Sequence, residues 1–254
     1  MNVEARLQLS RDRVEQACYL IGAALIISGL FHLGVFAVRG GPWQGPVSWR
    51  KPATFGLSFG ISLISVTWVA SYLRMSERVR TVLLGTFAVD CIVEVAGITV
   101  QAWRHVPSHL NTETPLNTSI AMALAFGGAV LIAVLGALAA FALRGSVEAA
   151  PSMRLAVQAG FGLLLVGLAS GAAMIARGEV LIRGGNRQQA YDHAGFLKAL
   201  HGITLHAVLV LPALAWFLSR LDWPEERRVG ALRLAVGGYL GAAVIALVIS
   251  LIRM

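Results

Sequence analysis

Seven stretches of twenty or more mainly apolar residues run along this chain, at 17–38, 52–73, 79–103, 115–143, 153–176, 195–218 and 228–252. A helix of about 20 residues is what the roughly 30 Å hydrocarbon core of a bilayer requires. No water is present there to satisfy backbone amides, so the apolar segments must close their hydrogen bonds internally, as α-helices do. Composition agrees: 57% of the residues are hydrophobic and 13% charged, where a soluble domain carries about a quarter charged residues. The expectation is an all-α, polytopic membrane protein, a seven-transmembrane-helix bundle forming a single membrane domain over residues 1–254, with the lipid bilayer as its principal partner.

Arg6, Arg11 and Arg13 precede the first apolar run in the manner of a leader peptide. That run is long enough to span, and no small-residue cleavage site closes it, so it reads as a first helix. The net charge of +8 comes from nineteen arginines and two lysines, Lys51 and Lys198. Most of these flank apolar spans, where they anchor helices and meet anionic lipid, so nucleic acid is not the expected partner. Counted by side, twelve basic residues fall on the face holding the amino terminus and nine on the other. The positive-inside rule then puts the amino terminus in the cytoplasm and the carboxyl terminus outside. Cys18 and Cys91 lie inside spans, with no CxxC spacing to suggest zinc or thiol exchange.

Local signals support the boundaries. Pro52, Pro115, Pro151 and Pro224 sit at or before helix starts, where a missing amide hydrogen costs nothing. Thr114 is placed to cap the fourth helix and Asp222 the seventh, with Glu225 and Glu226 suited to its positive end. Pro212 is placed to kink the sixth helix a turn beyond His206. Gly56/Gly60 and Gly167/Gly171 have the spacing of close helix contacts.

The chemistry gathers at one face. His32 lies near the end of the first span, His105 and His109 after the third, His193 after the fifth, and His201 and His206 at the start of the sixth; all six belong to the side of the odd-numbered loops. On the third helix Asp90, Glu94, Gly97 and Gln101 form one stripe. Carboxylates within a bilayer are costly and mark function by default. Glu94 and His206 each lie nine or ten residues from that face, roughly 14 Å deep at the helical rise, which suggests a Glu94–His206 pairing. His201 and His206 are five apart, about 140° round a helix, and do not grip one ion from a straight helix. Pro107 separates His105 from His109, making that segment a structured loop in which Arg104, His109 and Asn111 are suited to an anion. Arg50, Lys51, Arg104, Arg177, Arg183, Arg187 and Lys198 form a basic rim. Trp43, Trp49 and Trp103 read as an interfacial belt. Thr54, Ser58, Ser62 and Ser65 line one side of the second helix.

Three passages resemble a family of uncharacterised bacterial multi-pass membrane proteins: Gly45-Pro46 with Trp49-Arg50-Lys51-Pro52; the stretch from Glu94 to Asn117, including Gln101-Ala102-Trp103-Arg104 and Ser108-His109-Leu110-Asn111; and Leu197 to His206 followed by Leu211-Pro212. The resemblance implies a bacterial membrane location and carries no activity. A microbial rhodopsin would need a lysine in the seventh helix, which has none, and zinc-dependent membrane hydrolases use an i, i+4 histidine pair.

These residues suggest a site that binds haem or a transition-metal ion for redox chemistry near the odd-loop face. His32, His201 and His206 are its ligand candidates and Glu94 its acid–base group. Arg50, Lys51, Gln101, Arg104, His109, Asn111 and Lys198 would hold the cofactor or a small anionic or lipid ligand. The alternatives are a proton-coupled transporter or ligand sensor using Asp90 and Glu94 beneath a basic vestibule, and a metal-dependent lipid hydrolase or transferase. Whether the protein is an enzyme stays open at this point.

Overall fold

A computed structural model describes residues 3–252, apart from the side chains of residues 3–12 and of residue 187. The basic residues Arg6, Arg11 and Arg187 therefore contribute charge to the reading above from outside the described side chains. The chain is all-helical: α1 (Val3–Arg39), α2 (Arg50–Ala70), α3 (Glu77–Trp103), α4 (Pro115–Leu143), α5 (Pro151–Arg183), α6 (Arg187–His193), α7 (Lys198–Ser219) and α8 (Glu225–Ile252). All except the seven-residue α6 are long and apolar enough to cross a membrane.

Two differences from the expected boundaries have plain causes. Helix α5 runs on past 176 to Arg183 because polar residues continue a helix once lipid no longer demands apolar ones. Glu179 and Arg183 pair across one turn at 3.9 Å, and the helix stops at Gly184 and Gly185, the latter at φ +78°. The short α6 follows inside the loop that leads to α7. Helix α8 begins at Glu225, directly after Pro224, so Asp222 lies outside the cap position. Thr114 does cap α4, its Oγ1 accepting from the Asn117 amide at 3.2 Å. Helix α7 stays helical through Pro212.

The chain forms two compact units. The first comprises 1–67 and 76–134, the second 68–75 and 135–254. In the first, α1 and α2 approach so closely that a Cβ added at Gly60 would stand 2.6 Å from the Gly22 carbonyl, and one at Gly56 2.8 Å from the Gly29 backbone. Such contacts bring dispersion and weak backbone interactions into play where lipid supplies no hydrophobic drive between helices. Ala53, Leu63, Leu84, Phe87, Cys91 and Ile98 complete this unit's core. Arg80, almost wholly buried, is held by Glu15 at 3.8 Å.

In the second unit α7 packs on α5 and α8. Gly160 abuts the backbone of Val208, Gly167 the side chains of Leu205 and Thr204, and Gly171 the ring of His201. Leu197, Leu200, Ala243 and Ala246 form a buried cluster between α7 and α8. The segments after α2 and α4 are joined by a short bridge, with the Arg74 amide donating to Ser146 at 2.7 Å and the Glu148 amide to Tyr72 at 2.9 Å. Large apolar side chains such as Leu20, Ile27, Phe126, Leu234 and Ile245 point outward, which suits helices solvated by lipid.

Candidate functional site

The stripe on α3 faces α4 in a continuous antiparallel register within the first unit. At its loop end Gln101 meets Asn117, one turn further Gly97 meets Ile120 and Leu124, and further still from the loop Glu94 and Asp90 meet Gly127. This last contact is the most consequential. A Cβ added at Gly127 would stand 2.6 Å from Glu94 Oε1 and 2.8 Å from Asp90 Oδ1. Both carboxyl groups therefore rest side by side on a patch of α4 that only a glycine leaves open. Glu94 is 3% and Asp90 6% exposed. Asp90 Oδ2 is buried and lacks a hydrogen-bond partner, and no ion pair to either carboxyl exists among the described residues.

Toward the loop the same interface becomes a dense polar clamp. Arg104 Nη1 donates to Gln101 Oε1 at 2.5 Å and to Asn117 Oδ1 at 2.7 Å. Gln101 Nε2 donates to Asn117 Oδ1 at 3.2 Å and to the Pro107 carbonyl at 3.5 Å. Asn111, fully buried, donates to the same carbonyl at 3.2 Å and accepts from the Glu113 amide at 3.1 Å. His105 and Leu110 adopt φ values of +54° and +59°, strained for residues with a Cβ, and the clamp holds them there. His109 Nδ1 lies 2.9 Å from Ser108 Oγ, which also receives Lys51 Nζ at 3.5 Å. Burial, assisted by the Lys51 cation, pushes the His109 pKa down to about 3. Arg50 is turned aside, its Nε donating to the Trp43 carbonyl at 2.9 Å.

Of the seven residues expected to hold a cofactor or anion, Gln101 and Arg104 bond to each other and to Asn117, Asn111 bonds to the loop backbone, His109 Nδ1 meets Ser108, and Arg50 and Lys51 donate to Trp43 and Ser108. Lys198 is an exposed residue at the start of α7, in the second unit. Asn117, the hub of the clamp, was not singled out by the sequence. Its position three residues after a capping threonine was the available signal.

The three ligand candidates have separate local partners. His32 Nδ1 faces the Ser28 carbonyl at 2.7 Å and must donate to it. Its Nε2 is then the acceptor for the Trp103 indole N–H at 3.1 Å, so both ring nitrogens are occupied. His201 Nδ1 donates to the Gly167 carbonyl at 2.8 Å, with Ser170 Oγ at 3.3 Å. His206 Nδ1 donates to the Gly202 carbonyl at 2.5 Å. Glu94 and His206 belong to different units; the neighbours of Glu94 are Asp90 and Gly127. Among the described residues no group of three or more His, Cys, Asp or Glu side chains is placed to hold a metal ion.

The tryptophans divide. Trp43 and Trp103 are exposed as a belt requires, but Trp49 is buried at 8%, stacked on His32 and edge-on to Trp103 with centroids 5.0 Å apart. The reason is the His32–Trp103 hydrogen bond, which builds an aromatic nest into which Trp49 fits. No protein-family model matches the sequence, and no match is found among curated proteins or solved structures.

Proposed function

We propose that the protein is a multi-pass membrane protein, in the bacterial inner membrane with its amino terminus in the cytoplasm, that couples its function to proton binding at Asp90 and Glu94. The observation that carries this reading is the pair of adjacent, nearly inaccessible carboxyl groups on Gly127. Two like charges this close in a low-dielectric interior repel strongly, and no cation among the described residues answers them, so at least one of the two carboxyls keeps its proton. A proton kept at that depth, with one carboxyl oxygen lacking any partner, is poised to be exchanged when the helices rearrange or a ligand arrives. A proton-coupled transporter is the function such a pair serves best. A haem or metal centre draws less support, because His32 spends both nitrogens on structure and the described residues supply no three-ligand set.

The test is proton flux into liposomes carrying the full-length protein and an internal pH dye, driven by an imposed potential. Flux above empty liposomes, falling about ten-fold or more in Glu94→Gln and in Asp90→Asn, is the expected result. Equal flux in wild type and both variants would remove the reading.

A further inference from the structure

Beyond the carboxyl pair, the first unit holds a second feature: a cleft of about 580 Å³ at the end of α1 and the start of α2. Its polar side chains are one cation, one hydroxyl and one imidazole, each able to donate a hydrogen bond. Arg39 is exposed and makes no ion pair among the described residues; its guanidinium lies over the Trp103 ring at 5.1 Å. Ser48 is 6% exposed, lines the cleft, and its buried Oγ lacks a partner. His105, held at φ +54° by the loop, presents an imidazole in edge-on contact with Trp49. Among the described residues no Asp or Glu lines the space. Gly40 and Gly41, at φ +65° and +104°, form its rim with no atom within 4 Å of where a Cβ would be.

A cation, a buried hydroxyl and an imidazole around a space without acids call for a ligand rich in acceptor oxygens and negatively charged. A planar guanidinium fits a phosphate by paired hydrogen bonds. The remaining walls, including Val47 and Ala102, are apolar, and the exposed Trp43 and Trp103 rings mark the level at which headgroups lie. We infer that this cleft is a binding site for the phosphate group of an anionic phospholipid, with Arg39 pairing the phosphate and Ser48 and His105 completing its hydrogen bonds. The site is separate from the carboxyl pair and stands whether or not that pair carries protons.

The test uses the full-length protein in phosphatidylcholine nanodiscs doped with phosphatidylglycerol, with retained lipids read by native mass spectrometry. Phosphatidylglycerol is expected to be retained over phosphatidylcholine. That preference should fall about ten-fold in Arg39→Gln, and fall measurably in Ser48→Ala. Arg220→Gln, which removes a guanidinium lying 4.7 Å over Trp216 in the second unit, should leave it unchanged. Arg39 is exposed, so its replacement leaves the fold intact, and an unaltered melting temperature in phosphatidylcholine alone verifies this. Equal retention in wild type and Arg39→Gln would overturn the site, as would an equal loss in Arg220→Gln. Displacement of the lipid by millimolar glycerol 3-phosphate or inorganic phosphate would overturn the lipid as its occupant.

Discussion

Two histidines show how much a side chain's meaning depends on what its second nitrogen meets. His32 has the depth and side expected of a ligand, yet its imidazole bridges the Ser28 carbonyl and the Trp103 indole. Replacing it by alanine removes the acceptor of the half-exposed Trp103 indole N–H, and should cost about 0.5–1.5 kcal/mol in unfolding experiments, with the Trp49 fluorescence environment disturbed as well. His109 carries the clearest pH dependence. Its folded pKa near 3 lies below the ordinary value of 6.5, so the unfolded or undocked loop takes up a proton that the docked loop refuses. The docked loop is therefore at full stability above about pH 6.5 and loses it progressively as pH falls toward 3. Nitrogen-15 spectra should show a neutral His109 ring at pH 5; in Lys51→Met its pKa should rise only in part, since burial is the larger cause. A histidine's partners four and 71 residues away, as at His32, cannot be read from its sequence neighbours.

At the scale of helices, the α3–α4 hairpin ties the site together. The stripe of Asp90, Glu94, Gly97 and Gln101 was legible from its spacing alone, because helical periodicity fixes which residues share a face. What the stripe meets was not legible: Gly127 is one of 27 glycines, and nothing local distinguishes a glycine that cradles two carboxyls from one that fills a turn. Gly127→Ala is the discriminating change. Ordinarily such a replacement favours a helix by about 1 kcal/mol. Here the added methyl would stand 2.6 Å from Glu94 Oε1, so the carboxyl ends must move. The expected outcome is a folded protein of unchanged helix content whose proton flux falls about ten-fold or more, since small misplacements of reacting groups are costly. The outer end of the hairpin makes a different prediction. Asn117→Ala removes the acceptor shared by Arg104 and Gln101, and should lower stability by about 1–3 kcal/mol and loosen the 104–114 loop, seen as faster amide exchange there.

Across the whole chain, the number and approximate limits of the long helices followed from hydropathy because apolar length is a direct requirement of lipid. The ends of α5 and α8 differ from the expected limits where the chain leaves that requirement and ordinary capping and charge pairing take over, and α1 begins at Val3, ahead of the span expected from 17. The division into two compact units carried no such mark in the sequence, for no linker or change of composition separates them. The proposed function depends on a finer matter, the charge of two carboxyl groups inside the first unit. Infrared spectroscopy of the reconstituted protein observes this directly through the carbonyl stretch of a protonated carboxylic acid. At neutral pH such a band is expected, shifted by exchange into deuterated water and abolished only when Asp90→Asn and Glu94→Gln are combined. Absence of the band in the wild type, or its survival unchanged in the double variant, would contradict a proton held at Asp90 and Glu94.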